Sequence, residues 1–395
     1  VKRALEAMND YDVDKEPEPA EGVSFAQDPE EYEWKYVEDV ITENETADIR
    51  NIGTTFETKP DWCDPEQIDR MLELGGTKVE VGVQTTYERI NREMHRGHGA
   101  QASIDANRRL RDSAFKVGFH MMPGQPGMSK EMCLEDFRRL FEEEQWKPDY
   151  LKIYPTLVVR GTRVYDSWYN DEYEPLDNEA AADLIAEMMG EIPEYTRLQR
   201  VQRDIPADFI DAGVWKSNLR QLAEQRATEK GIEIRDIRSR EVGMNDDDPD
   251  PDAIELSTTT YEVAGGTEHF IAFEDPVRDL LVGFCRLRFP SYATGQPGTP
   301  GTETDPVRRE LADAAIVREL HVYGSEAAIG ADAGAGGSDW QHKGYGRRLI
   351  EHAEELARDA GFPKVAVISG IGARQYYRDK LGYHQDGPYV SKRLN

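Results

Sequence analysis

The sequence predicts an α/β protein of two domains: strand–helix units that build a parallel sheet, then a second, smaller α/β domain. Three observations predict it. At 395 residues the chain is too long for one ordinary core. Between residues 49 and 201, short β-prone runs alternate with amphipathic helical stretches, the signature of parallel βα units. After an Asp-rich run, NDDDPDPD at 245–252, the pattern changes to long strand-formers followed by a Gly-marked helix.

The elements follow in order. Residues 11–32 are rich in Pro and acid and predict a loop or flexible leader. Residues 34–43 could form a helix, and 49–56 a short strand ending at Glu57, Lys59 and Pro60. Residues 64–74 predict a helix stopped by Gly75 and Gly76, since glycine adopts the left-handed conformation a helix end needs. Strands are expected at 78–84, 116–122, 150–155 and 197–201, with helices at 100–113, 134–144 and 180–189 between them. Functional groups in such sheets are expected at the carboxyl ends of the strands. Residues 205–252 predict a basic linker with one helix, 218–230. Beyond it, strands are expected at 256–263, 269–275, 280–288, 314–323 and 364–369, and helices at 344–360 and 373–381. Pro/Gly-rich and Gly/Ala-rich loops occupy 290–305 and 324–339. The expected units are thus a leader 1–33, a first domain 34–204, a linker 205–252 and a second domain 253–395.

Acidic residues number 77 and basic residues 48, a net charge of −29. At long range such a chain repels nucleic acid. The distribution qualifies this. The first fifty residues hold 16 acidic and 5 basic residues. By contrast, 197–240 carries Arg197, Arg200, Arg203, Lys216, Arg220, Arg226, Lys230, Arg235, Arg238 and Arg240. An acidic surface surrounding a surviving basic patch is what a salt-rich, halophilic cytoplasm favours, where screening is short-ranged and carboxylates maintain solubility. No window is apolar enough for a membrane span, and the first twenty residues lack a secretory h-region. A cytoplasmic location is expected. Cys63, Cys133 and Cys285 are too few and too scattered for a disulfide framework or a cysteine-only metal site. The chain opens on Val1, as a fragment would.

The strongest local motif is Gln341-His-Lys-Gly344-Tyr-Gly346, which opens a helix after a strand and a loop. Glycines let a ligand approach the backbone, and free N–H groups at a helix start bind phosphate oxygens. The preceding strand carries Glu319-Leu-His-Val322, and a Tyr376-Tyr377 pair follows the next strand. This order resembles the GNAT acetyltransferases.

The whole chain resembles a narrower family. ETKPDWC at 57–63, VEVGVQTTYERINREMHRGH at 79–98, KVGFHMMPGQPG at 116–127, YLKIYPTLVVRGTR at 150–163, RVQRDIP at 200–206 and DIRSREVGM at 236–244 are similar to the catalytic subunit of Elongator. So are ELHVYGS, QHKGYG, AVISGIGARQYYRDKLGY and DGPYV. The resemblance runs from about residue 49 to the end and implies an α/β fold: a partial radical-SAM (βα) barrel, a linker and a GNAT acetyltransferase domain. It implies an acyltransferase that modifies C5 of the tRNA wobble uridine from acetyl-CoA, giving a carboxymethyl-type product, with radical S-adenosylmethionine (SAM) chemistry in the intact protein. The family's [4Fe-4S] cluster is held by closely spaced cysteines, which this sequence lacks, so an N-terminal truncation is expected. Its zinc cysteines are also missing; Ser239 stands at the matching position, and no metal ligand set is expected in this chain.

The resemblance implies these roles. Glu319, Leu320, His321 and Val322 pair with acetyl-CoA, and Gln341, Gly344, Tyr345, Gly346 and Arg347 hold its pyrophosphate. Tyr377 lies near the thioester, with Tyr376 as the alternate and His321 as a further catalytic candidate. Glu57, Lys59, Glu80, Gln84, His120 and Lys152 face SAM or the base. Arg200, Arg203, Arg220, Arg235, Arg238 and Arg240 are candidates for tRNA phosphates. Expected partners are tRNA and, in addition, a second copy or accessory Elongator-like subunits, and no membrane. The alternatives are a protein lysine acetyltransferase of the GNAT class, or a non-catalytic protein that binds tRNA or acetyl-CoA.

Overall fold

The computed structural model describes residues 1–11, 37–202, 205–245, 247–292, 306–323 and 344–394. The expected leader therefore lies outside the described residues from 12 to 33, as do residues 293–305 of the first Gly-rich loop, the whole of the second, Arg203 and Gln341.

The first sheet has five strands in the order β1 (Thr54–Thr58), β2 (Gly76–Gln84), β3 (Lys116–Met121), β4 (Tyr150–Ile153) and β5 (Arg197–Val201), all paired in parallel. The crossovers carry α3 (Pro65–Glu73), α4 (Glu88–Glu93) with α5 (Ala100–Asp112), α6 (Lys130–Glu142), and α7 (Arg163–Tyr169) with α8 (Asn178–Gly190). Asp64, Ser129 and Asp177 cap α3, α6 and α8 by accepting from N–H groups of the first turn. Side chains alternate across these strands. Val79, Val81, Val117, Phe119, Leu151 and Ile153 join the buried core shared with residues of the helices. The other face of the same strands presents Lys78, His120 and Lys152, each of which bonds to Glu80.

The second sheet has seven strands. An antiparallel run of β6 (Glu255–Val263), β7 (Gly266–Asp275), β8 (Leu280–Phe289) and β9 (Ala314–Val322) is joined in parallel by β10 (Lys364–Val367). A C-terminal hairpin, β11 (His384–Asp386) and β12 (Tyr389–Arg393), closes the far side. Helix α11 (Tyr345–Asp359) packs its apolar face, Leu349, Ile350, Ala353 and Ala357, on that sheet. The hairpin is absent from the sequence expectation because HQDGPYVSKR carries only a weak period-two pattern.

Two expectations about the connecting segments change. The start of the leader is ordered: Lys2–Asn9 forms α1, whose Leu5 is buried against Val37, Val40 and Ile41 of α2 (Val37–Asn44) and against Ile371 of the second domain. The 205–252 segment is integrated as well as connecting. Its helix α9 (Leu219–Lys230) buries Leu219 and Ala223 in the first core, and α10 (Ile237–Arg240) buries Ile237 against β7 and β8.

The domains share a core. Leu311, Ala314, Ile316, Ala366, Ile368 and Tyr389 of the second belong to the same cluster as the barrel residues. Across this seam lies a buried charge network. Arg318 holds Asp149 through two bonds, 2.7 and 2.8 Å, and Glu268 at 2.9 Å. Arg111 reaches Asp149 at 3.1 Å and Glu268 at 3.3 Å, Arg288 pairs with Asp112 and Glu268, and Arg286 with Glu319. Four guanidinium groups thus meet four carboxylates away from water, so no charge is left uncompensated.

Candidate functional site between the two domains

Strands β9 and β10 start as a parallel pair and then part. Their register runs from Ala314–Lys364 to Val317–Val367, and Ile368 N–H still donates to Val317 O at 3.2 Å. Beyond that point β9 continues to Val322 against β8 alone. Among the described strands, none pairs with the side of Glu319, Leu320 and His321 that faced β10. An extended ligand with amide groups can add there as a strand would.

Next to the opening, α11 begins at Gly344, which is left-handed (φ 78°) and has no side-chain cap for the following N–H groups. The N–H groups of a helix start and the helix dipole favour an anionic group there. Gly346 lies under Tyr376: a Cβ there would stand 3.3 Å from the Tyr376 hydroxyl. Tyr345 turns its ring inward on Phe273, 4.8 Å between centroids, so only its backbone is available to a ligand. Arg347 donates to Lys380 O at 2.9 Å.

A cavity of about 370 Å³ joins this opening to the barrel sheet. Glu319, Leu320, His321, Ser369, Gly370 and Tyr377 line it from the second domain; Thr55, Lys78, Lys116 and Tyr150 line it from the first. Lys78, Lys116 and Tyr150 sit near the amino ends of their strands. The expectation of carboxyl-end chemistry therefore overlooked them: which end of a sheet a second domain covers is a tertiary fact. Glu319 accepts from Tyr150 Oη and from Arg286 Nε at 2.9 Å. Burial alone would raise its carboxyl pKa, but Arg286 and Lys116 outweigh this and hold it below the usual value. Burial lowers the pKa of Lys116, partly offset by Glu319. His321 is open to the cavity yet surrounded by protein on most sides, with Tyr323 at 4.4 Å and Phe284 at 6.1 Å between ring centroids. That desolvation holds its pKa below 6.5, leaving a neutral imidazole at pH 7. Burial pushes the Tyr377 hydroxyl well above 10, so it stays protonated and able to donate a hydrogen bond. Tyr377 lines the cavity while Tyr376 covers the glycine loop, which separates two residues that the sequence left as alternates.

On the barrel face, Glu80 is a hub. Lys78 Nζ is 2.7 Å from one oxygen, and His120 Nε2 (3.1 Å) and Lys152 Nζ bond the other. Burial would raise its carboxyl, but these three partners together hold it below the usual carboxylate range. Glu57 approaches His120 Nδ1 at 3.5 Å. Glu57, Glu80 and His120 are close enough together to share a metal ion. However, two ammonium groups already neutralise Glu80, which makes the cluster an ion-pair hub. Gln84 ends β2 in a left-handed conformation (φ 69°), and its side-chain oxygen is buried without a partner. Such stored strain and an orphaned acceptor are features of ligand-binding positions. Lys59 is exposed and paired with Asp61 at 3.1 Å.

The arginine set divides. Arg240 is only 2% exposed, with its guanidinium on Glu274 and Asp279, so burial removes it from any surface that could meet phosphate. Arg235 is held by Asp279 at 3.0 Å, and Arg220 by Glu224 at 2.8 Å and Leu198 O. Arg238 is half-buried and Arg200 exposed. Ser239 Oγ donates to Ile234 O and Asp236 O.

The cysteines do not fit an iron–sulfur cluster. Cys63, Cys133 and Cys285 are all buried and free, each in a different element or loop. Burial pushes the Cys63 thiol up to about 12 and Cys133 up to about 11.

A parallel βα sheet joined across a polar cavity to a mixed sheet with a splayed strand pair defines a two-domain α/β protein with a ligand-sized site at the seam. Family comparisons agree. The Radical SAM superfamily model matches residues 6–140, the Radical_SAM C-terminal domain 148–229, and the Acetyltransferase (GNAT) family 232–383. The tRNA uridine(34) acetyltransferase of Methanocaldococcus jannaschii is 40% identical over 100% of this chain and 67% of its own length. Elongator complex protein 3 of Homo sapiens is 38% identical over 97% of this chain and 71% of its own. The solved structure of the archaeal Methanocaldococcus infernus Elp3 with an N-terminus deletion superposes with a TM-score of 0.83 at 40% identity, covering 100% of this chain and 85% of that one. The chain belongs to the Elongator complex protein 3 family.

Proposed function

We propose that this chain is a tRNA wobble-uridine acetyltransferase that binds acetyl-CoA in the splayed β9–β10 edge and presents its acetyl unit to the interdomain cavity. The observation that carries the reading is the cavity itself, lined by Glu319, His321 and Tyr377 on one side and by Lys78, Lys116 and Tyr150 on the other. An acetyltransferase acting on a peptide would need its acceptor groove on the second domain's own surface; here the cavity is walled by the barrel sheet.

In this reading the first turn of α11 holds the pyrophosphate and β9 pairs with the pantetheine arm. As water adds to the thioester carbonyl and the C–S bond breaks to give acetate and CoA, the Tyr377 hydroxyl passes its proton to the departing sulfur and regains one from the attacking water. Glu319 is too firmly held as a carboxylate to serve as a base near neutral pH; it fixes Tyr150 and Arg286 across the seam. Neutral His321 can accept a proton or a hydrogen bond. SAM with an iron–sulfur cluster would supply radical chemistry, and Gln84 and the Glu80 hub are the positions that would face it. The cysteines present here provide no cluster ligands, so what is derived for this chain is thioester chemistry.

Tyr377→Phe is expected to slow tRNA-stimulated release of CoA from acetyl-CoA by about a hundredfold, the range of a lost general acid, while acetyl-CoA still binds. Unchanged turnover would assign the proton to another group.

A further inference from the structure

Three charged side chains line the interdomain cavity: Lys78, Lys116 and Glu319. Two of them are already engaged. Glu319 gives its oxygens to Tyr150 Oη and to Arg286 Nε at 2.9 Å. Lys78 Nζ is held by Glu80 at 2.7 Å and by Gln199 Oε1 at 2.9 Å. Lys116 stands beside Lys78 in the β2–β3 register. Among the described residues, its ammonium has no hydrogen bond and no carboxylate within 4.0 Å. Of two neighbouring cations, one is neutralised by the protein and the other is left to the cavity.

Lys116 is only partly exposed. Desolvating an ammonium without a partner costs free energy, so stability alone would favour an apolar side chain here. A ligand that supplies the missing negative charge accounts for the lysine. The opposite wall narrows the choice of ligand. Tyr377 and His321 face the cavity from the second domain, beside the β9 edge. A volume of about 370 Å³ is at the lower end for ligand sites, so a short acyl thioester held at Tyr377 comes within reach of the barrel wall. Residues 344–347, where the pyrophosphate belongs, do not line the cavity. The part of the thioester that gains negative charge inside it is the carbonyl oxygen.

We propose that Lys116 is a catalytic residue contributed by the first domain, holding the thioester carbonyl oxygen as negative charge collects on it. When the water oxygen bonds to the carbonyl carbon, the C=O π pair moves onto the oxygen. The Lys116 ammonium donates a hydrogen bond to that oxygen and stays protonated throughout. The pair returns to re-form C=O as the C–S bond breaks, giving acetate and CoA, with the carboxyl proton leaving to solvent. A cation fixed in place before the charge develops works best in such a water-poor site. The proposal rests on the acetyl-CoA reading above and adds to it a reason why thioester breakdown needs both domains.

The test is tRNA-stimulated release of CoA from acetyl-CoA by the full chain, for wild type, Lys116→Met, Lys116→Ala and Tyr377→Phe. Lys116→Met should lower kcat about a hundredfold, the range of a lost oxyanion donor, with KM for acetyl-CoA unchanged. Its melting temperature should hold or rise, since an unpaired cation has been removed. Ethylammonium should restore part of the rate to Lys116→Ala and leave the wild type as it is, a response that a merely structural lysine would not give. A wild-type kcat in Lys116→Met, with Tyr377→Phe still slow, overturns the assignment and leaves the acetyl-CoA reading standing. So does a loss confined to weaker tRNA binding, which would place a phosphate on Lys116. A slow Lys116→Met with a lowered melting temperature, and no rescue of Lys116→Ala, overturns it as well. If the wild type neither binds acetyl-CoA nor releases CoA with tRNA present, the acetyl-CoA reading falls and the assignment falls with it.

Discussion

At the residue scale the site is defined by how burial sets protonation. Tyr377 is kept as a donor, Glu319 as a carboxylate and His321 as a neutral ring, each by the desolvation or the charges around it. The same physics silences the cysteines. With thiols raised to about 11 and 12, only about one in a thousand Cys133 groups, and fewer of Cys63, would be ionised at pH 8. Native protein treated with a thiol-specific alkylating reagent at that pH should remain unlabelled on minutes timescales at all three cysteines and label fully in denaturant. Fast labelling of Cys63 or Cys133 in the native state would contradict the burial described. The start of α11 was legible at Gly344, because its left-handed backbone (φ 78°) favours glycine. Lys116 and Tyr150 were not, because nothing local in KVGFHMM or YLKIYP shows that a second domain covers their strand ends.

At the scale of elements, most strands and long helices were readable from period and punctuation, and β5 matches its expected bounds at 197–201. Short elements were missed: α4, α7 and the β11–β12 hairpin are too brief for periodicity to register. The parting of β9 and β10 was also invisible, since ladder pairing depends on where a neighbouring strand stops. The loop after β10 shows how tightly the elements fit. A Cβ at Gly370 would lie 2.0 Å from Ile52 O, and Gly372 N–H donates to Asn51 O at 2.8 Å. Gly370→Ala cannot be absorbed by a flexible side chain, because the obstacle is backbone. It should cost at least about 2 kcal/mol by denaturant titration and widen the seam beside the cavity. Gly361→Ala, left-handed (φ 86°) where Gly370 is not, and with nothing within 4 Å of the added Cβ, is the comparison and should cost about 1 kcal/mol from backbone strain alone.

At the scale of the molecule, the two domains act as one body because a shared core and a neutralised ion network cross the seam. Burial would raise the Asp149 carboxyl, but Arg111, Arg318 and Arg286 more than reverse this and hold it far below its usual value. Its contribution to stability is therefore complete above the unfolded pKa of about 4 and is lost as pH falls below it. Asp149→Asn should destabilise the chain by roughly 3–5 kcal/mol at pH 7 by leaving guanidinium groups uncompensated. The gap between variant and wild type should shrink as pH drops below about 4; a pH-independent gap would mean that Asp149 contributes shape rather than charge. This seam was beyond sequence reasoning, for Arg318 and Asp149 are 169 positions apart. The net charge, by contrast, was legible at once, and its meaning changed with the structure: much of the basic segment that looked free to meet phosphate is occupied internally.

The central claim is that the interdomain cavity couples acetyl-CoA breakdown to tRNA. The most direct measurement is CoA release from acetyl-CoA by the full chain, alone, with tRNA, and with a lysine-rich peptide. The account predicts that tRNA stimulates release, that the peptide does not, and that Lys116→Met on the barrel wall weakens the stimulation. Peptide acetylation with no response to tRNA would contradict it.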